Sequence, residues 1–332
     1  MKVRAADPLL PDDLAGVGAR ARVGLERVEE ALAAAVASAD PFVQEAASHL
    51  LDAGGKRFRP TLVLLAGQFG DPDEPRLVDV AVAIELTHLS TLYHDDVMDE
   101  AKVRRGTASA NALYGNKLAI LTGDYLFARA SEVTARLGNE AVGVLAAAIS
   151  RMVEGQIRES RGPHPGQDPV EHYMSVLADK TGALIAAACH LGAMLAGAPP
   201  TAVEALTEYG ERVGVAFQLR DDLLDIASES SVSGKAPGTD LLAGVRTLPV
   251  LFLLRRGGPE AEQLTSFLEG GRDRRALDRV LGTVRGSPAF EEARRAADAE
   301  AERAKAALTS LQRGAARQAL DEIADRVLDR SA

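Results

Sequence analysis

Along almost the whole chain, apolar positions recur every three or four residues, the period of helices with one face in a core. Leu25, Val28, Leu32 and Val36 make one such stripe. Leu77, Val80, Ile84, Thr87 and Leu92 make a second, and Leu118, Leu121, Tyr125 and Leu126 a third. Ala and Leu dominate, and alternating Val, Ile and Thr runs that would signal strands are missing. Gly or Pro marks the breaks, at 70–75, 162–169, 198–200 and 257–259. The pattern predicts an all-α fold of about ten or more helices with short connections. The longest non-helical candidates are 161–169 and 228–239, both rich in small and polar residues. No linker-like shift in composition appears and no fixed period repeats, so one domain over 1–332 is expected. The heavily charged stretch 290–311 reads as a solvated helix face, and the amphipathic end from Ile323 as core cover or a lid.

Composition narrows the function classes. A 46% hydrophobic content can bury a sizeable core, which excludes wholesale disorder. The net charge of −10, with no Trp and 4% aromatics, leaves little to attract or stack nucleic acid, so none is expected as a partner. The single cysteine, Cys189, excludes an internal disulfide and a multi-cysteine zinc site, and reads as a small core residue. Neither a secretory leader nor a run of membrane-spanning length is apparent, so the expectation is a soluble, cytoplasmic protein.

The chemistry is concentrated in two acidic clusters. In His88-Leu-Ser-Thr-Leu-Tyr-His94-Asp95-Asp96-Val-Met-Asp99, residues four apart share a helix face, so Asp95 and Asp99 project together. Gln218-Leu-Arg-Asp221-Asp222-Leu-Leu-Asp225 repeats the design. Two carboxylates ~4 Å apart repel by ~4 kcal/mol at an effective dielectric of ~20, a cost that a multivalent cation removes. The ligands are hard oxygens, with neither the His/Cys set of zinc nor a calcium loop, which points to magnesium. Magnesium completes its shell with water and substrate phosphate, so a diphosphate between the two helices is expected. One such cluster alone also reads as a solvated acidic turn; two, each closing an apolar helix, favour metal. The cationic complement is Gly54-Gly55-Lys56-Arg57-Phe58-Arg59-Pro60 at a loop opening a helix, where Lys56 and Arg59 can converge on one phosphate. Arg104-Arg105-Gly106, Lys180-Thr181 and Gly234-Lys235 add further cations.

These stretches, in this order, resemble the trans-isoprenyl diphosphate synthase (polyprenyl synthetase) family over nearly the whole chain. The matching segments are GGKRFRP at 54–60, ELTHLSTLYHDDVMDEAKVRRG at 85–106, GDYL at 123–126, DKTG at 179–182, FQLRDDLLD at 217–225 and GKAPGTDLLAGVRTLP at 234–249. The resemblance implies an all-α bundle around a deep central cavity, usually homodimeric. It implies magnesium, three ions per active site, on Asp95, Asp99 and Asp221, with Asp96, Asp222 and Asp225 supporting; Asp225 is counted among the metal ligands. Arg104, Lys180 and Lys235, with Asp96 and Asp222, would hold the allylic diphosphate, and Lys56, Arg59, His88 and Arg105 the isopentenyl diphosphate. Lys180, Thr181 and Gln218 would be catalytic, the oxygens of Thr181 and Gln218 facing an allylic cation.

The implied reaction is ionisation of the allylic diphosphate, attack by isopentenyl diphosphate, and proton loss to the released diphosphate. A tail growing along the first acidic helix would pass Thr91 and Ser90, ~6–7.5 Å before Asp95. Short-chain members block that depth with Phe or Tyr, so a long product of about thirty carbons or more is expected, with transient contact at a membrane surface on release. Tyr93 lies too near the metal site to act as a floor. Two departures stand out: Val245 where many members have Lys, with Arg246 next, and a loose match around Gln156. His94 reads equally as a support for the acidic motif or as packing. The competing readings are a shorter-chain synthase, a cyclising class I terpene synthase, a non-catalytic partner subunit, and a helical scaffold. The second leaves Lys56, Arg59 and Arg105 without purpose, the third should have lost carboxylates, and the last leaves the acids unexplained.

Overall fold

The computed structural model describes residues 16–227, 237–270 and 273–329. Its elements begin with α1 (Val17–Ala35), α2 (Pro41–Asp52), α3 (Phe58–Gly67) and α4 (Arg76–Met98). A hairpin of β1 (Val103–Arg104) and β2 (Thr107–Ala108) precedes α5 (Ala110–Tyr114), α6 (Asn116–Ala135) and α7 (Asn139–Arg161). Next, α8 (Pro169–Leu177) runs through a π-helical turn (Ala178–Gly182) into α9 (Ala183–Leu195), and α10 (Pro200–Ala227) follows. The remainder is α11 (Thr239–Ala243), α12 (Leu248–Arg256), α13 (Pro259–Glu269), α14 (Arg274–Gly286), α15 (Pro288–Ala307), a short 3₁₀ turn and α16 (Ala315–Leu328). Among the described residues the fold is all-α, as the period predicts, apart from the small hairpin.

The chain divides into two compact units. The first takes the chain up to Ser150, Leu184–Gly210 and Ala307–Ile323; the second takes Arg151–Ala183, Glu211–Ala306 and the chain from Ala324 on. In the first, α4 is the central element, packed against α1, α3 and α6. Of its predicted stripe, Leu77, Val80, Ile84 and Thr87 are buried and Leu92 is half-buried. Tyr93, completely buried, donates its hydroxyl to Ala46 O at 2.5 Å and so ties α4 to α2. Close helix approach is bought with glycine: a Cβ on Gly192 of α9 would lie 2.4 Å from Val63 O of α3. The α6 stripe behaves differently from α4. Leu126 is buried, but Leu118 and Leu121 are 37% and 51% exposed.

In the second unit, Tyr173, Leu177, Leu219, Leu223, Phe252 and Leu264 belong to one apolar cluster. Asp168 starts α8 by accepting from Val170 N at 2.9 Å, with Pro169 supplying a helical φ at the first position. Along α15 the alanines at 289, 293, 297 and 301 turn inward while the charged residues between them are largely solvated. Ala319, Leu320, Ile323 and Val327 of α16 are buried, so that helix covers core. Among the described residues, no helix is long and apolar enough to cross a membrane.

Candidate active site

The first acidic cluster occupies the last turn of α4. Asp99 N donates to Asp95 O at 2.8 Å, so the helical turn carries both residues on one face. Asp95 is half-buried and Asp99 exposed, whereas Asp96 between them is fully buried. Its Oδ1 accepts from Arg104 Nε at 2.6 Å, and its Oδ2 has no hydrogen-bond partner. Burial pushes the Asp96 carboxyl up, against the Arg104 guanidinium that holds it down. Asp96, expected at the allylic diphosphate, is thus placed as the anchor of Arg104.

Arg104 and Arg105 are presented by the hairpin. Arg104 pairs with Thr107, and the two residues between have positive φ, 53° at Arg105 and 76° at Gly106, the geometry of a tight two-residue β-turn. Arg105 Nη1 donates to Leu50 O at 2.9 Å and to Gly54 O. A Cβ at Gly55 would meet Arg105 Cζ at 3.0 Å, so this glycine makes room for a guanidinium. The 54–57 loop then enters α3, with Arg57 in the left-handed region at φ 47°. Arg57 is buried by Glu29 at 2.5 Å and Glu85 at 3.1 Å.

Arg59, on the first turn of α3, has no partner for its Nε. Burial, with Arg105 adding to it and Glu85 opposing, brings its guanidinium down to about 10, still cationic at neutral pH. His88 is half-buried, and burial first, then Arg59, Arg105, Arg104 and Arg57, hold its imidazole well below the usual range. The result is a neutral imidazole in the field of four guanidiniums, a site made for an anion. Lys56, on the loop that leads into α3, is exposed. Sequence reasoning missed Glu85, a buried carboxylate that holds Arg57 and lies 3.8 Å from Arg105. Its place three residues before His88, on the same helix face, is the signal that marks it. His94 packs: its Nε2 lies 3.2 Å from both Ile120 O and Asp124 Oδ1, over Gly123 of the GDYL segment.

The second unit repeats the logic at the end of α10. Asp221 and Asp225 are half-buried, and the middle residue, Asp222, is buried. Asp222 Oδ2 accepts from the Tyr173 hydroxyl and Oδ1 from Gln218 Nε2 at 2.9 Å. Burial pushes its carboxyl up to about 6, against those two donors. Gln218 Oε1 in turn accepts from Thr181 Oγ1 at 3.2 Å. Asp222, also expected at the allylic diphosphate, therefore has both oxygens engaged within the protein. Asp225 accepts from Thr239 N and Asp240 N, each at 3.2 Å, and so also caps α11.

Thr181 and Lys180 sit on the π-helical turn, a local widening of the helix frequent at functional sites. Lys180 Nζ pairs with Glu159 at 2.6 Å, and Asp179 beside it pairs with Arg151 and Arg158 of α7. A Cβ on Gly155 would lie 3.0 Å from Lys180 N, so the loosely matching 153–156 segment supports this turn. Gln156 Oε1 is buried without a partner. Val245 is exposed, its N–H bonded to Asp240 O at 2.9 Å, and Arg246 is exposed beside it. Lys235 lies outside the described residues.

Both motifs suit a divalent cation. Each places carboxylates in the last turns of a helix with no basic residue in its final turn, where the helix dipole is unfavourable to negative charge. The donors are hard oxygens, and among the described residues no three or more His, Cys, Asp or Glu form a preassembled metal cage. Such a donor set matches an ion that takes one or two carboxylates and fills its shell with water and phosphate.

Comparison with known proteins places this geometry. The polyprenyl synthetase family model matches residues 40–283. A nonaprenyl diphosphate synthase from Mycobacterium tuberculosis is 46% identical over 94% of each chain. Among solved structures, a polyprenyl synthase from Caulobacter crescentus, complexed with calcium and isoprenyl diphosphate, is 33% identical with a TM-score of 0.88, covering 97% of this chain and 100% of that one. A geranylgeranyl pyrophosphate synthase from Corynebacterium glutamicum, also complexed with calcium and isoprenyl diphosphate, is 40% identical with a TM-score of 0.85, covering 96% and 99%.

Proposed function

This chain belongs to the polyprenyl synthetase family, and from that premise we propose that it extends an allylic diphosphate (geranyl, farnesyl or geranylgeranyl) with isopentenyl diphosphate in trans head-to-tail steps, to about C30 or longer. The observation that carries the reading is the cationic cluster of the first unit, where burial and the fields of Arg59, Arg105, Arg104 and Arg57 hold His88 neutral on α4, the helix that ends in Asp95 and Asp99.

In this reading Lys56, Arg59, His88 and Arg105 hold isopentenyl diphosphate, and a neutral His88 donates one hydrogen bond without repelling the arginines. Arg104 and Lys180 hold the allylic diphosphate, with Lys235 proposed beside them. Asp95, Asp99 and Asp221, with Asp225 assisting, would hold magnesium, three ions in all. Bound magnesium supplies Lewis-acid neutralisation of the leaving diphosphate. The oxygens of Gln218 and Thr181 then stabilise the allylic cation, fixed dipoles that need not reorganise. Asp96 and Asp222 keep Arg104 and Gln218 in place. One catalytic domain, cytoplasmic and homodimeric, completes the proposal; the exposed Leu118, Leu121 and Phe127 of α6 give a second copy an apolar face. Transient contact with a membrane surface serves product release. A long product is supported by the nonaprenyl synthase relative and by small residues at Ser90 and Thr91. The geranylgeranyl synthase neighbour keeps a shorter product as the second reading.

Purified enzyme given magnesium chloride, isopentenyl diphosphate and farnesyl diphosphate is expected to yield C30 or longer products by mass spectrometry. Asp95→Ala is expected to lower turnover by about a hundredfold or more with an unchanged Tm. Near-normal turnover in that variant defeats the assignment, and products ending at C20 select the second reading.

A further inference from the structure

Tyr173 has no role in the reaction as derived so far, yet it closes a chain of buried polar groups that ends at the reacting centre. Its side chain belongs to the apolar cluster of the second unit, with Leu177, Leu219 and Leu223. Only the hydroxyl is polar, and it donates to Asp222 Oδ2. Asp222 Oδ1 accepts from Gln218 Nε2 at 2.9 Å, and Gln218 Oε1 accepts from Thr181 Oγ1 at 3.2 Å.

The direction of each bond is dictated by chemistry. A tyrosine hydroxyl facing a carboxylate donates to it, and an ionised carboxylate only accepts. Gln218 must therefore turn its NH₂ to Asp222, which turns its oxygen to Thr181. An amide can occupy the same volume flipped by 180°, with the positive end of its dipole where the negative end was. The carboxylate alone does not hold Gln218, because a buried Asp222 with one donor missing can rotate toward another partner. Tyr173 removes that freedom by occupying the second oxygen.

We propose that Tyr173 is a positioning residue: through Asp222 it sets the amide orientation of Gln218, and so the polarity that Gln218 and Thr181 present to the allylic cation. The inference rests on the proposed roles of Gln218 and Thr181. It assigns Tyr173 an effect on the chemical step and none on diphosphate binding, because no link in the chain is a cation.

Tyr173→Phe keeps the ring and removes the hydroxyl. Steady-state kinetics of the full-length enzyme with magnesium, farnesyl diphosphate and isopentenyl diphosphate are expected to show kcat reduced about tenfold, with KM for farnesyl diphosphate unchanged. In a Gln218→Ala background the same change is expected to have no further effect on kcat, since the group it orients is gone. Asp222→Asn cuts the chain one link nearer, and Tyr173→Phe added to it is likewise expected to be silent; if Tyr173→Phe folds poorly, Asp222→Asn alone carries the test, with kcat expected to fall at unchanged KM for farnesyl diphosphate and an unchanged kcat overturning the proposal. A wild-type kcat in Tyr173→Phe overturns the proposal. So does an equal loss in the wild-type and Gln218→Ala backgrounds, or a rise in KM at constant kcat. A Gln218→Ala enzyme with undiminished kcat instead overturns the underlying role of Gln218, whatever Tyr173 does.

Discussion

His88 carries the electrostatics of the first unit in a single side chain. Held neutral by burial and four guanidiniums, it binds no proton in the folded state at pH values where the unfolded chain, near pKa ~6.5, already does. The unfolded state therefore holds more protons below about pH 6.5, so stability falls as the pH drops through that window and is flat above it. His88→Gln keeps a hydrogen-bonding group and removes the titration. Its Tm, followed by thermal melts between pH 5 and 8, is expected to decline less on the acid side than that of the parent protein. Parallel declines would show that His88 is protonated when folded and that the arginine field is weaker than argued.

The same scale shows what the spacing of the motifs leaves open about the middle aspartates. Asp95 and Asp96 are equivalent in composition and motif, but one residue is 100° of helix, enough to turn Asp96 into the core and onto Arg104. Asp221 and Asp222 differ in the same way. Spacing by four was legible; which of two adjacent carboxylates faces inward depends on where the rest of the unit packs.

Among elements, the helices were legible because an apolar period of three or four residues is imposed by packing and survives in the residues of α1 and α4. The hairpin at Arg104 and the π-helical turn at Lys180 were not. Two residues a strand leave no alternation to read, and a π turn keeps the helix going with one extra residue. The tolerances of these helices can be tested through glycine. On Gly192 a Cβ would sit 2.4 Å from the backbone oxygen of Val63, which can move only with α3. On Gly123 the same 2.4 Å contact is with the ring of His94, a side chain that can swing away. Gly192→Ala is therefore expected to cost about 3 kcal/mol or more in urea denaturation, and Gly123→Ala about 1–2 kcal/mol. The reverse order would mean that His94, not the α3–α9 approach, is the rigid contact.

At the scale of the whole molecule the distinctive output is product length, and in the proposed reading it is governed by what lies along α4 toward its N-terminus. Thr91 Oγ1 bonds back to His88 O and Thr87 Oγ1 to Ala83 O, each at 2.8 Å. Hydroxyls satisfied by their own helix leave methyl groups as the outward surface, so threonine suits the proposed tail path without leaving an orphan polar atom. Ser90 is 3% exposed and supplies a small side chain on that face. Tyr93 does not intrude, since its ring is committed to α2 through Ala46 O. Ser90→Phe adds a ring about 7.5 Å from Asp95 along the helix. It is expected to shift the products, analysed by mass spectrometry after phosphatase treatment, to shorter chains than the parent makes, while condensation continues. The overpacked position is expected to lose about 1–3 kcal/mol, so the comparison belongs well below the Tm of the variant. Thr91→Ala, which widens the same path, is expected to leave the long products in place. An unchanged distribution in a folded Ser90→Phe enzyme would mean that the tail leaves the aspartates by a route that does not follow α4.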